Sequence, residues 1–151
     1  MGGICGIVNL DGAPLDPQYL PGMIEAMAYR GVDGIHTHLT PTTAFAHFAH
    51  HTTPISAQSH QPLIHAPTGV TLVADGRLFN RQTLITQLSS EQVGNDPDPT
   101  DCELILGAYL KWGVDSPGHL IGDFAFVVWD ERIRQVLCVR APFGIRSLHY
   151  T

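Results

Sequence analysis

Residues 122–140 read GDFAFVVWDERIRQVLCVR. Two apolar runs, 123–130 (DFAFVVWD) and 135–140 (QVLCVR), flank the polar Glu131-Arg132-Ile133-Arg134. β-Branched and aromatic residues suit strands, and a short polar break between two such runs predicts a hairpin. Upstream, Thr100 or Asp101 caps a helix over 101–113 (DCELILGAYLKWG), which Gly113 ends. Residues 70–75 (VTLVAD) predict a further strand running into Gly76, read as a turn position, and 80–89 predict a short helix starting from Asn80. The turn formers of 91–100 (EQVGNDPDPT) predict a loop.

Nearer the N-terminus, 3–10 (GICGIVNL) reads as a strand ended by Asp11-Gly12. Residues 17–29 carry Leu20, Met23, Ile24 and Met27 at helical spacing, with Gly31 beyond the end. Residues 32–43 read as loop or short strand, and 44–51 as a strand. Strands at both ends with helices between them give an α+β domain in packed layers.

The composition narrows the function classes. Hydrophobic residues make up 44% and charged residues 15%, which is enough apolar content for a folded core in one domain over 1–151. A net charge of −6 with scattered basic residues argues against a nucleic-acid partner. No apolar run is long enough to span a membrane, and no signal peptide is apparent. Three cysteines, Cys5, Cys102 and Cys138, lack paired spacing, so the expected setting is reducing and cytoplasmic. The nine histidines include His36, His38, His47, His50 and His51, but no zinc-type spacing, so no metal site is expected. The chain closes on the apolar FGIRSLHYT, which reads as a domain cut from a longer protein or docked onto a partner.

Seven segments in order carry a resemblance: GICGIVNLDG (3–12), RGVDG (30–34), QPL (61–63), ADGRLFNR (74–81), TDCELILGAY (100–109), GDFAFVVWD (122–130) and RAPFGIRSLHY (140–150). Together they resemble the N-terminal glutaminase domain of asparagine synthetases, a class II glutamine amidotransferase domain with the N-terminal-nucleophile (Ntn) hydrolase fold. The resemblance implies a four-layer αββα sandwich of two antiparallel sheets. It also implies a C-terminal synthetase domain, in cis or in trans, that uses ATP and Mg. No cofactor is implied for this domain itself, and a homodimer is compatible with the pattern.

The implied catalytic residues depart from the family's. Relatives begin Met-Cys-Gly-Ile, where the exposed cysteine is nucleophile and its own α-amine the base. This chain begins MGGICG, so Gly2 takes the nucleophile position. Cys5 is the alternative candidate, but it aligns inside the first strand, where a cysteine serves as a small core residue. The family arginine that clamps the substrate carboxylate is Ala49 here. The family's Asn-Gly-Glu reads Asp75-Gly76-Arg77: Asp75 puts negative charge where an oxyanion develops, and Arg77 repels an ammonium. Gly76 and Asp101 match the family; read structurally, they are a turn glycine and a helix cap. An internal ion pair among Asp75, Arg77 and Asp101 is a further expectation.

These departures favour a catalytically degenerate glutaminase-like domain, a docking part of an amide-forming enzyme that takes its amine from the substrate. Lasso-peptide macrolactam cyclases, slightly preferred, and β-lactam synthetases resemble that arrangement. The alternatives are an active glutaminase domain that supplies ammonia to an asparagine synthetase, and a stand-alone binding module.

Overall fold

In the computed structural model, residues 2–94 and 96–151 are described. Among the described residues, seven strands form two antiparallel sheets. The first contains β1 (Gly3–Val8), β2 (Gly34–Leu39) and β3 (Thr43–Ala49), in the order β1-β3-β2. The second contains β4 (Leu63–His65), β5 (Val70–Leu78), β6 (Gly122–Asp130) and β7 (Gln135–Arg140), in that order. The helices are α1 (Tyr19–Met27), α2 (Arg81–Gln87), α3 (Ser90–Val93) and α4 (Asp101–Trp112).

The period-two alternation of the strands decides the layers. All seven residues of β3 are buried, because it is the central strand and is covered on both faces. Ala44, Ala46 and Phe48 point one way and pack with Leu20, Ile24 and Met27 of α1. Phe45 points the other way and meets Val73 of β5 and Trp129 of β6. On the second sheet, Leu72, Phe124, Phe126 and Val128 face α4 through Leu104, Ile105 and Ala108. The result is α1, sheet, sheet, then α2 and α4: the αββα sandwich implied by the sequence. No helix among the described residues is long and apolar enough to cross a membrane.

Several boundaries differ from the sequence reading. β1 stops at Val8, and β2 forms a full edge strand over 34–39, held by pairing with β3 despite its polar residues. β3 ends at Ala49, leaving His50 and His51 in the following segment. α1 begins at Tyr19, two residues after Pro17. α2 starts from Asn80 at its N-cap position, as expected, but the Asn80 side chain makes no capping bond; its amide instead bridges the carbonyl of His119 and the N–H of Ile121, at 2.9 and 3.0 Å. The loop expected over 91–100 begins with the short α3, where the Ser89 N–H donates to Gln92 Oε1 at 2.8 Å. α4 matches its signals: the Thr100 side chain accepts from the Glu103 N–H, and Gly113 ends the helix at φ +58°.

The reading of Gly76 as a turn residue is corrected. β5 runs straight through it to Leu78, and Gly76 pairs with Phe124 of β6. A Cβ there would stand 2.6 Å from Phe124 Cα, so the glycine serves a close backbone approach.

Candidate functional site

A cavity of about 310 Å³ opens where the end of β5, the first turn of α4, the 50–61 segment and the segment after β7 converge. Alternation along β5 places it: Val73 faces the other sheet, so Asp75 and Arg77 are on that same face, at the rim of the inter-sheet layer. Gly2, Gly76 and Asp101 also line the cavity.

The cavity's charges pair differently from the expected Asp75–Arg77–Asp101 cluster. Arg146, from the segment after β7, donates from Nη1 to Asp75 Oδ2 at 2.7 Å. Both side chains are mostly buried, at 19% and 17% exposure. Arg81, at the start of α2, donates to Asp101 and, at 2.7 Å, to Asp98. Burial opposes charge on Arg81, but its hydrogen bonds to Asp98 and Asp101 outweigh this and raise its pKa. Asp101 Oδ2 also accepts from the Leu78 N–H at 3.1 Å, tying α4 to β5. Asp101 is therefore not the cap of α4, a role held by Thr100; it sits in the first turn, where the helix dipole favours an anion. Arg77 is exposed and forms no ion pair among the described residues. Arg81 and Arg146 are the residues that sequence reasoning missed, although both lie inside quoted segments, ADGRLFNR and RAPFGIRSLHY.

In the cavity wall lies a polar network. Gln61 is clamped by the backbone of Ala74, whose N–H donates to Oε1 at 2.6 Å while its carbonyl accepts from Nε2 at 3.0 Å. This fixes which end of the amide is which. The Gln61 Nε2 lies 3.2 Å from His47 Nε2, so the imidazole nitrogen must accept and its proton resides on Nδ1. Burial, aided by His36 and His51, lowers the His47 pKa to about 4, consistent with a neutral ring. Nδ1 has no partner among the described residues.

The other candidates fall in different places. Gly2 lines the cavity, and its carbonyl accepts from Arg30 Nη1 at 3.2 Å. A Cβ on Gly2 would stand 2.6 Å from the Phe48 carbonyl oxygen and 3.3 Å from Asp75 Oδ1. Cys5 is not in the cavity wall; it points to the α1 side, among Leu20, Ala44 and Ala46, and burial pushes its thiol up to about 11. Ala49 is buried at the end of β3 and contributes nothing to the wall. Cys102 does reach the cavity, but it is buried against Ser59 Oγ at 2.8 Å, and burial raises its pKa. Among the described residues no group of three or more His, Cys, Asp or Glu is placed to hold a metal ion.

A family profile described as a glutamine amidotransferase domain matches residues 1–151. The chain belongs to the glutamine amidotransferase domain family. Asparagine synthetase [glutamine-hydrolyzing] 2 of Bacillus subtilis is 30% identical over 155 residues, covering 100% of this chain and 20% of that protein. Amidase chry2 of Gibberella zeae is 36% identical over 99 residues, covering 64% of this chain and 14% of that protein. This amidotransferase domain thus spans a fifth or less of these curated relatives. The glutamine phosphoribosylpyrophosphate amidotransferase of B. subtilis, solved with ADP and GMP, matches its structure with a TM-score of 0.55 at 19% identity, covering 96% of this chain and 32% of that chain. That likeness bears on the fold alone.

Proposed function

We propose that this amidotransferase domain does not hydrolyse glutamine and serves as a structural and docking part of an asparagine-synthetase-like, ATP-dependent amide-forming protein. The observation that carries this reading is Gly2. It stands at the cavity with no side chain to attack a substrate, and the Phe48 carbonyl occupies the space a Cβ would need. Three further features support it. Ala49 offers no clamp for a carboxylate. Arg77 opposes an incoming ammonium. Asp75 is bound to Arg146 and, as an anion, would disfavour a developing oxyanion.

Amide formation itself belongs, on this reading, to a synthetase domain or partner that binds ATP and Mg, with a peptide macrolactam cyclase as the preferred parent. The free cysteines suit a cytoplasmic setting.

The likeness to relatives such as the glutamine-hydrolysing asparagine synthetase of B. subtilis favours a second reading, an active glutaminase. Incubating the purified chain with glutamine, with glutamate quantified and intact mass measured on the same sample, separates the two. The expected result is no glutamate and a mass beginning at Met1 or Gly2. Glutamate release, above all with a mass beginning at Cys5, would overturn the proposal.

A further inference from the structure

β2 is an outer strand. It pairs with β3 on one side and, among the described residues, with no strand on the other. Two hydrogen bonds at the end of the sheet set the phase of its bonding. The Thr40 N–H donates to the Thr43 carbonyl at 2.8 Å, and the Asn9 N–H donates to the Thr42 carbonyl at 2.9 Å. Backbone groups in an antiparallel ladder alternate in direction residue by residue. Odd residues of β3 therefore bond β2, and even residues bond β1. In β2, His36 and His38 turn their backbone groups to β3. Ile35, Thr37 and Leu39 turn theirs outward, where no turn or loop backbone meets them among the described residues.

Native edges are usually shielded by charged side chains, proline, a bulge or a very short strand. β2, GIHTHL, has no charged residue or proline and pairs with β3 without interruption. His36, Thr37 and Leu39 are exposed. The other outer strands are less open: β4 has three residues, β7 ends on Arg140, and within β1 only Gly6 is exposed.

A run with outward groups at 35, 37 and 39 is its own complement. Laid antiparallel about a twofold axis at Thr37, it sets Thr37 against Thr37 and Ile35 against Leu39 of a second copy. Both pairs are in the hydrogen-bonding phase, so the outward N–H and C=O groups of all these residues find partners. Threonines directly opposite each other are a favourable cross-strand pair. Ile35 packs on the α1 side, so alternation puts Leu39, 60% exposed, on that face, where Ile35 of the second copy would cover it. The same register carries the residues ahead of the copy's Gly34, among them Val32 at 68% exposure, toward the Leu39 end. There an apolar cleft of about 240 Å³ is lined by Leu39, Pro41, Leu15, Pro17 and Leu20.

From this self-complementarity we infer that two copies of the chain associate through β2, joining their three-stranded sheets into one continuous sheet. The contact is isologous and closes at two copies. It does not depend on whether glutamine is hydrolysed.

The test uses the full chain. Sedimentation equilibrium from micromolar to millimolar concentration reads the stoichiometry, and amide hydrogen exchange at both ends of that range reads the site. We expect a reversible monomer–dimer equilibrium. The amides of Ile35, Thr37 and Leu39 should exchange freely in dilute solution and slow in the dimer, while those of His36 and His38 stay protected throughout. Thr37→Pro removes only an outward N–H, and Thr37→Lys sets two ammoniums at the axis. Each should weaken the dimer by roughly tenfold or more, with the His36 and His38 amides still protected because β2 stays in place. Gln82→Lys, the same added charge on an exposed position of α2, should leave the equilibrium unchanged. A chain that stays monomeric at millimolar concentration would overturn the inference, as would assembly beyond two copies or a dimer indifferent to both Thr37 variants. The wild-type exchange pattern stands apart from the variants: if protection at Ile35, Thr37 and Leu39 does not rise with concentration, the inference fails whatever the variants do.

Discussion

Arg146, 71 residues downstream of Asp75, reaches back across the second sheet and donates to its carboxylate at 2.7 Å. The contact pins the segment after β7 to β5 at the mouth of the cavity. With both side chains about four-fifths buried, removing one partner strands the other away from full hydration. Arg146→Gln should cost about 1–3 kcal/mol in urea unfolding, and adding Asp75→Asn should recover part of that loss rather than doubling it. Simple additivity of the two substitutions would show that the pair is not coupled.

His47 makes stability depend on pH. Its folded-state pKa is lowered from the ordinary 6.5 to about 4, so between those values the unfolded chain holds a proton that the folded chain does not. Stability from this group is complete above the upper value, falls as pH drops through the window, and levels off below the lower one. The loss should be on the order of 3 kcal/mol. The geometry agrees with the sign: a second proton on His47 would point Nε2–H at the Gln61 amide nitrogen, itself a donor, and would add charge facing His36 and His51. Urea midpoints measured from neutral to acid pH should fall in the wild type and flatten in His47→Gln.

The cysteines should differ in reactivity. With its pKa pushed up to about 11, Cys5 is thiolate in only about one molecule in ten thousand at neutral pH. Cys102 is buried and Cys138 is exposed on β7. Alkylation followed by peptide mass mapping should mark Cys138 well before either of the others. Early labelling of Cys5 would contradict its packing against α1.

Two glycines should respond oppositely to alanine. Gly76→Ala forces a Cβ to within 2.6 Å of Phe124 Cα, a backbone atom that cannot rotate away, and should destabilise by about 1–3 kcal/mol. Gly22 lies in α1, and a Cβ there would meet nothing within 4 Å, so Gly22→Ala should stabilise by about 0.5–1 kcal/mol. Thermal melts of the two variants check both signs.

The hairpin β6–β7 and helix α4 were legible because each is decided locally, by unbroken apolar runs or by a cap followed by a glycine stop. β2 was not, since His36 and His38 give it no apolar pattern and its strand form comes from pairing with β3. Gly76 misled for a similar reason: the neighbour that demands a glycine is Phe124, on a strand far along the chain. The segments that carry the site could be quoted from the sequence, yet the partners of Asp75 and Asp101 could not. Ion pairing depends on where Arg81 and Arg146 arrive in space, and the expected partner, Arg77, forms no ion pair among the described residues. The orphan donor on His47 was equally out of reach, because it follows from the orientation of Gln61.

Gln61 also has a mechanical consequence. The interior between the sheets is made of Phe45, Val73 and Trp129, and such contacts resist separation but scarcely resist sliding, because they are non-directional. Gln61 holds the Ala74 backbone on one sheet and the His47 ring on the other through directional bonds. It therefore acts as a shear pin beside the cavity, setting the alignment of the two walls against each other. Loosening it would leave the sandwich closed but let its faces slip, blurring the cavity's shape while the fold around it persists.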